Sequence, residues 1–446
     1  MHVQHTNQWK GYEKIAFRFF FIYFLVQAVP LDWLYYKQVF TINWAHLKYS
    51  DIFLLAHYMP QFIAGAQSFA GWGIVAAIAA VGTITWTVID SNRTASQNNL
   101  YYWIRAIVRY RLAIGVIAYG FIKVFPLQSP YPSLSNLNTN YGDFTRWKLF
   151  SISLGIVPGY ESFLGLVEVV AGLLLLYRKT ASVGAVFILL FTGNVFVSNI
   201  AYEGGEVVYS LYLIILAIFV LSWDLPRIVT LLVLQKPTTP NRFRPVFTAK
   251  WQEYARWGLK LFTVFFFVLL YSFKTATGYK YDPYHYPVTK GLSKAAGIYN
   301  VSYFRINADT IAYSKYDPVR WQDVVFEEWN TISIRSNRRV HIDSNNVERI
   351  DVTDADKNYE LEGAMGRHYY RYTIDTVKQL LTLQNKNRFY KNEQLQLHYT
   401  RFNDSTIQLY GVNENRDSVF ATLQRINKKY LLKEVEKAGR SKSLKL

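Results

Sequence analysis

Long apolar runs fill the first 274 residues of the chain and do not continue into the remainder. Stretches of about 20 mainly apolar residues, the length that crosses a bilayer as a helix, recur there. A helix satisfies its own backbone hydrogen bonds where water cannot. From about residue 275 onward, polar and apolar residues alternate instead. The sequence therefore predicts a polytopic α-helical membrane protein with a soluble, mainly antiparallel β domain of the α+β class at its C-terminal end.

Seven segments qualify as transmembrane helices. They lie near residues 14–34, 69–90, 107–125, 161–178, 180–200, 206–224 and 257–274. These segments suggest four regions: a two-helix membrane region with an interfacial exported loop, a four-helix region, a basic cytoplasmic loop with the seventh helix, and an exported β-rich domain with a C-terminal helix and a basic tail. Their boundaries are 1–104, 105–228, 229–274 and 275–446.

Lysine and arginine in the short loops predict the orientation, because cytoplasmic loops carry an excess of both. Lys10 and Lys14 precede the first helix, and Arg93 lies between the second and third. With seven spans, all the basic loops fall on one side, so the N-terminus is expected in the cytoplasm and the C-terminal domain outside. Six further basic residues are interpreted as cytoplasmic contacts to lipid head groups: Arg105, Arg109, Arg111, Arg178, Lys179 and Arg227.

Composition excludes several kinds of chemistry. The chain has no cysteine, so dithiol redox chemistry, disulfides, thiolate-bound zinc and iron–sulfur clusters are ruled out. Any redox role needs a borrowed cofactor. The formal net charge of +18 is spread over loops of both halves, which favours anionic lipid over nucleic acid as the partner.

Polar residues on consecutive helices reach a similar depth near the outer surface. Lys123 ends the third helix, and Glu168 lies roughly 10 Å below that surface on the fourth, at 1.5 Å per residue. Four more polar residues fall at this level: Asn194, Asn199, Glu206 and Tyr209. Ionisable groups in membrane spans are costly and often functional.

Two interpretations of this polar level stay open. In the first, Lys123 and Glu168 bind the polar head of a quinone or similar amphiphile in a pocket open sideways to lipid. In the second, Lys123 extends to the interface and Glu168 pairs with it, which locks two helices together.

The spacing of residues along the central helices resembles a known family. Arg111-x3-Gly115-x4-Gly120-x2-Lys123, Glu168-x3-Gly172 followed by four leucines, and Leu221-Ser-Trp-Asp224 are similar to the DoxX-like membrane proteins. The similarity covers about residues 105–228. It implies a four-helix bundle in a bacterial inner membrane, and for the founding members an association with quinone-linked sulfur oxidation. The other spans and the exported domain, which becomes periplasmic in this setting, depart from the family pattern.

Strand signals fill the C-terminal domain. They cover Tyr299–Asn307, Thr331–Arg335, Val340–Asp343, Tyr369–Ile374, Gln394–Arg401 and Thr406–Tyr410, and a closing helix is expected over Asp417–Val435. One segment resembles the start of a calcium loop: Asp354-x-Asp356-x-Asn358-x-Glu360. Because Tyr359 replaces the turn glycine and the distal glutamate is missing, a solvated hairpin tip is the favoured interpretation.

The leading functional hypothesis is an accessory subunit of an inner-membrane redox or envelope complex, with quinone as the possible cofactor. The alternative is a non-enzymatic scaffold that anchors a periplasmic protein-interaction domain. Membrane lipids and other membrane or periplasmic proteins are the expected partners. A direct enzyme ranks third, because the sequence contains no recognisable nucleophile elbow, phosphate loop or carboxylate dyad.

Overall fold

The computed structural model describes residues 9–62, 68–90, 97–239, 249–347, 349–350, 353 and 356–439. The chain forms two compact units. The first consists of residues 1–128 and 157–281, and the second of residues 129–156 and 282–446. The chain therefore passes between the units three times, after residues 128, 156 and 281.

In chain order the α-helices are α1 Gly11–Ala28, α2 Trp33–Thr41, α3 Tyr49–Ala56, α4 Ala70–Ile89, α5 Asn98–Val124, α6 Leu134–Leu137, α7 Arg146–Gly155, α8 Pro158–Leu176, α9 Ala181–Ala201, α10 Val207–Ser222, α11 Leu225–Leu232, α12 Lys250–Val264, α13 Tyr271–Gly278 and α14 Leu431–Ala438. A π-helical turn, Phe265–Leu270, joins α12 to α13. Helices α6, α7 and α14 belong to the second unit and the others to the first.

The first unit contains the long apolar helices that the sequence predicts. Within the described residues, five helical stretches are long and apolar enough to cross a membrane, and the pair α10 and α11, bent by 72°, is a sixth candidate. Helix α5 has 27 residues but carries Arg105, Arg109, Arg111 and Lys123, which make it less apolar than the other candidates. The structure thus confirms several apolar helices in the N-terminal half, while the count of seven spans stays a prediction.

Helix α5 is the most enclosed helix of the first unit. It packs against α8 and α10, and α9 packs against both of these, so the four helices form a closed ring. Glycine allows the closest approach in this ring: a Cβ atom at Gly165 of α8 would lie 2.5 Å from the carbonyl oxygen of Gly120 on α5. Small residues at such contacts let helix backbones approach each other in membranes.

The second unit contains an antiparallel β-barrel. Its strands are β1 Gly297–Ile306, β2 Asp309–Thr310, β3 Asp323–Phe326, β4 Thr331–Arg335, β5 Arg367–Asp375, β6 Leu380–Asn385, β7 Gln394–Arg401, β8 Thr406–Asn413 and β9 Ser418–Arg425. They pair in the order β2-β1-β3-β4-β5-β6-β7-β8-β9, and β9 returns to pair with β1. The sheet therefore closes on itself, which removes its exposed edges.

Buried and outward-pointing side chains alternate along the strands, and the buried ones form the core of the barrel. In β9 the buried residues are Val419, Ala421 and Leu423, which point to the same face because successive side chains in a strand point to opposite faces. Aliphatic and aromatic side chains from eight strands fill the interior, including Phe304, Phe326 and Tyr372. The interior is a packed core rather than an open channel.

The segment 129–156 is built into the barrel unit. Ser135 donates its backbone N–H and its hydroxyl to Glu327, at 2.7 and 2.6 Å, and contacts Ser333 of β4 at 2.8 Å. Arg367 of β5 donates to the carbonyl oxygen of Asn138 at 3.0 Å. The predicted boundaries 105–228 placed this segment in the four-helix region. The structure corrects that placement, because Ser333 and Arg367 lie on barrel strands and Glu327 directly follows β3.

Other predicted elements of this unit differ from the structure. The helix expected over Asp417–Val435 is wrong for its first half, which forms β9, and only Leu431–Ala438 is helical. The strand expected over Val340–Asp343 is reduced to an isolated bridge between Asp343 and Glu362. The other predicted strands are present. The basic tail of residues 437–445 lies largely outside the described residues.

Candidate functional site in the helix bundle

An ion pair joins α5 and α8 at the depth where the sequence predicts a polar cluster. Lys123 Nζ lies 2.6 Å from Glu168 Oε1, and each side chain is less than 10% exposed. The Lys123 ammonium also faces the rings of Tyr119 and Phe191, each at 5.8 Å from the ring centroid. Close packing of α5 and α8 at their glycines brings the two charged residues together.

A small cavity borders this ion pair. Besides Lys123 and Glu168, its polar lining comes from Thr192 of α9, from Glu206 and Tyr209 at the start of α10, and from Tyr119 and Ser210. Its volume is about 30 Å³. A cavity needs roughly 10–15 Å³ to hold one water molecule, so this cavity holds one or two waters but not a quinone ring.

One of the two carboxylate oxygens of Glu168 lacks a hydrogen-bond partner within the described part of the chain. Glu168 Oε1 accepts from Lys123, whereas the buried Oε2 accepts no hydrogen bond there. A buried acceptor without a partner costs about 1–3 kcal/mol. A water molecule in the adjoining cavity would supply the missing donor, so the site can hold a small hydrogen-bond donor without rearrangement.

Histidine 57 completes the site from outside the four-helix ring. Its Nε2 lies 3.0 Å from the hydroxyl of Tyr119 and 3.6 Å from a carboxylate oxygen of Glu206. Its ring packs against Tyr209 at 4.0 Å between centroids. Four residues at this site are absent from the predicted set: His57, Tyr119, Thr192 and Ser210. Tyr119 was detectable, being one helical turn before Lys123, but His57 follows α3 and reaches the site only through tertiary packing.

The structure brings together four of the six residues predicted to bind a ligand: Lys123, Glu168, Glu206 and Tyr209. The other two do not line the cavity. Asn194 is exposed and accepts a hydrogen bond from Ser198. Asn199 accepts from the backbone N–H of Glu206 at 3.2 Å, which fixes the turn between α9 and α10.

The basic residues predicted to lie on the cytoplasmic side divide into two groups. Arg105 and Arg111 are buried, which corrects their interpretation as lipid contacts. Arg105 pairs with Asp224 at 2.9 Å, and Arg111 donates to the carbonyl oxygens of Ala56 and Tyr58. Their role is to join α5 to its neighbours.

The second group is more accessible. Arg109 and Arg178 are half-buried and face the rings of Tyr110 and Tyr102, at 5.3 and 5.6 Å. Lys179 and Arg227 are exposed and keep the predicted lipid-facing role as a hypothesis. Arg93 lies outside the described residues.

Acidic residues of the proposed calcium-loop start have other partners. Glu360 is fully buried and pairs with Lys386 at 2.6 Å, so the interpretation as a solvated hairpin tip does not hold at this residue. Asp356 accepts from Thr353, and Asp354 lies outside the described residues. Within the described part of the chain, no group of three or more metal-ligating side chains lies close together.

Comparison with known proteins adds no relative. No protein-family model, no curated protein and no solved structure matches the chain.

Proposed function

We propose that the protein is a membrane-anchored scaffold whose helices hold the barrel unit for contact with another protein of the bacterial cell envelope. The segment 129–156 carries this proposal. It leaves the helical unit after α5, forms part of the barrel unit through Ser135 and Asn138, and returns to start α8. The barrel unit is thus attached by three chain connections, where a flexible tether needs only one.

Pairing of charges inside the helical unit supports a structural role for its helices. Arg18 pairs with Asp90 at 2.7 Å between α1 and the end of α4, and Lys123 with Glu168 at 2.6 Å between α5 and α8. A buried charge is costly without a partner, so such pairs fasten neighbouring helices in one register.

Chain connectivity supports the proposed orientation. The end of α5, the start of α8 and the end of α13 all lead into the barrel unit. If these helices cross the membrane, their ends lie on one side of it. The basic turn Arg178-Lys179 follows α8 at its other end, which by the positive-inside rule is the cytoplasmic one. The barrel unit then lies in the periplasm.

A second candidate function has one specific observation in its favour. Glu168 Oε2 is buried beside a cavity and lacks a partner among the described residues, which suits a hydroxyl donor on the head group of a reduced quinone (a quinol) or of a lipid. The cavity of about 30 Å³ is too small for such a head group. Binding would require the Lys123–Glu168 pair to open, so this candidate ranks second.

Gentle detergent extraction followed by mass spectrometry of copurifying proteins and lipids tests both candidates. Three forms are compared: the wild type, Glu168→Ala, and the double variant Lys123→Met with Glu168→Met. The double variant removes both charges while keeping side-chain volume. The scaffold proposal expects one constant protein partner in the wild type and in the double variant.

Two results would count against the scaffold. The first is a quinone or one lipid that the wild type retains and both variants lose, with no constant protein, which would assign the site to an amphiphile. The second is the absence of any constant protein partner after cross-linking in intact cells.

A further inference from the structure

The outer surface of β7, β8, β9 and β1 carries a row of aromatic rings. His398, Tyr410, Phe420 and Arg305 are direct cross-strand partners in that order. The His398 and Tyr410 rings stack at 5.2 Å with 20° between their planes, and Tyr303 of β1 meets Phe420 at 5.7 Å. We call this surface the aromatic face. Its central row crosses four strands without interruption.

Uncharged side chains, three of the four with hydrogen-bonding groups, flank the row. Gln396 and Val412 are cross-strand partners on one side, and Gln408 and Thr422 on the other. Gln396, Gln408 and Thr422 point outward because their sequence neighbours Leu397, Leu409 and Leu423 fill the barrel interior. Among the residues named for this face, Arg305 alone is charged, and its guanidinium lies 5.5 Å from the Phe420 ring centroid.

The absence of charge on these residues contrasts with the rest of the molecule. The chain has 49 basic and 31 acidic residues, yet the named positions of the aromatic face include no carboxylate and one cation. An anionic polymer or an anionic membrane surface would be met by several basic side chains. The face suits an uncharged ligand.

We propose that the aromatic face binds an uncharged polysaccharide. Each sugar ring has an apolar surface of C–H groups, which can lie on an aromatic ring, and hydroxyl groups at its edge. An aromatic ring presents a negative face that attracts such weakly positive C–H groups. The amides of Gln396 and Gln408 and the hydroxyl of Thr422 offer both donors and acceptors for sugar hydroxyls.

The arrangement favours a polysaccharide over a protein partner. Protein interfaces concentrate their binding energy in a compact, well-desolvated centre. Here the rings lie in a line, one strand after another, with amides and hydroxyls beside them and Val412 as the aliphatic neighbour. A line of contacts fits a chain of repeating rings. This inference goes beyond the scaffold proposal and stands whether or not a protein partner is found.

Retention of the full-length protein on polysaccharides tests the inference. The protein is reconstituted in lipid nanodiscs, because detergents with sugar head groups would compete for the face. Probes are neutral cellulose, chitin, β-1,3-glucan and mannan, with acidic alginate for comparison. At least one neutral probe should retain the wild type. Tyr410→Ala should weaken that retention by about tenfold, a factor that corresponds to ~1.4 kcal/mol.

Two variants serve as controls. Tyr410→Phe keeps the ring and should keep binding. Tyr316→Ala removes a tyrosine that is 87% exposed and does not belong to the face, so it should bind like the wild type. Thermal unfolding of each variant shows whether the fold is intact.

Several outcomes would overturn the inference: no retention on any neutral probe, retention on alginate alone, or equal retention of wild type and a folded Tyr410→Ala. Capture of a protein through Tyr410, without polysaccharide binding, would also overturn it and assign the face to a protein. Loss of a protein partner in the copurification experiment would count against the scaffold alone, so the two proposals fail separately.

Discussion

The helical unit and the barrel unit bury charged side chains in different ways. In the helical unit Lys123–Glu168 and Arg18–Asp90 are separate pairs, each joining two helices. In the barrel unit, buried charged side chains also bond to backbone groups and hydroxyls. Glu327, for example, accepts hydrogen bonds from two backbone N–H groups and from the hydroxyl of Ser135. Backbone groups inside a helix bond to each other, so Lys123 and Arg18 pair with side chains. Arg111 reaches backbone carbonyls only at the end of α3 and just beyond it. Loops packed on a sheet leave backbone groups free to serve as partners.

Loss of Arg367 should have the largest effect on the barrel unit. This arginine is 1% exposed and donates to Asp323 at 2.5 Å and to the Asn138 carbonyl at 3.0 Å. Arg367→Ala leaves both acceptors without their donor, and we expect about 3–5 kcal/mol of destabilisation. Amide hydrogen exchange of β4 and β5 in the full chain measures it.

The control for Arg367 is Lys437→Ala, which removes an exposed pair with Glu434. Its effect should stay within about 0.5 kcal/mol. An Arg367→Ala protein whose strands exchange as slowly as the wild type would show that backbone partners in this unit are dispensable.

Removal of Glu168 tests the separate pairs of the helical unit. Glu168→Ala leaves the Lys123 ammonium buried without its carboxylate, and we expect a loss of about 3 kcal/mol. The double variant Lys123→Met with Glu168→Met should recover most of it, because a buried ion pair is often no more stable than apolar side chains of similar volume. Thermal unfolding in detergent compares them. Failure of the double variant to recover, with the fold intact, would mean that the pair contributes more than helix packing.

Disturbing the close packing of α5 against α8 should destabilise the protein less than removing Glu168. In Gly165→Ala the added Cβ would lie 2.5 Å from the Gly120 carbonyl oxygen, so the helices must separate, at a cost of about 1–3 kcal/mol. Gly193→Ala in α9 is the matched control, because its Cβ would meet nothing within 4 Å. It should leave stability unchanged or raise it by up to about 1 kcal/mol. Equal melting temperatures for both variants would contradict the close approach.

Acid should weaken the barrel unit through His368. Burial, together with the positive charge of Arg338, lowers the pKa of His368 from 6.5 to about 4. The unfolded chain therefore takes up the proton first, so stability that is present above pH 6.5 is lost as the pH falls towards 4. We expect a loss of about 3 kcal/mol over this range. In His368→Phe the loss between pH 6.5 and 4 should largely disappear.

Glu393 also contributes to the pH dependence of the barrel unit, at a lower pH than His368. Burial would raise the pKa of this carboxyl, but hydrogen bonds from Arg338 and Tyr370 outweigh it and hold the pKa below its usual value of 4.5. Its contribution is lost at lower pH, as the pH falls through the lowered pKa. A pH profile of hydrogen exchange in β5 that is identical for wild type and His368→Phe would contradict the role of His368.

Local patterns predicted most of the elements. Apolar runs gave the long helices, and alternation gave five of the longer strands, because both signals lie within a few neighbouring residues. The helix predicted over Asp417–Val435 was wrong in its first half because the local pattern there fits two structures. Val419, Leu423 and Ile426 have helical spacing, while Val419, Ala421 and Leu423 alternate as in a strand. Pairing of β9 with β1 and β8 decides between the two, and a local pattern does not contain that information.

Depth along consecutive helices was enough to predict the contact between Lys123 and Glu168. It could not predict His57, which arrives from another part of the chain, or the size of the cavity, which depends on side-chain packing. Arg105 and Arg111 were predicted to contact lipid head groups because basic residues are enriched on the cytoplasmic side of membrane proteins. Their burial depends on Asp224 and on the carbonyl oxygens of Ala56 and Tyr58, which only the folded unit brings near.

The discontinuous barrel unit also sets an order of events during synthesis. Ser135 is made 192 residues before Glu327, its partner. At a rate of 5–20 residues per second this separation corresponds to roughly 10–40 s. During that time the strands that pack against residues 129–156 have not yet been synthesised. Folding of the unit can finish only after β9 has closed the barrel, so α8 to α13 are all synthesised before residues 129–156 can bind their partners.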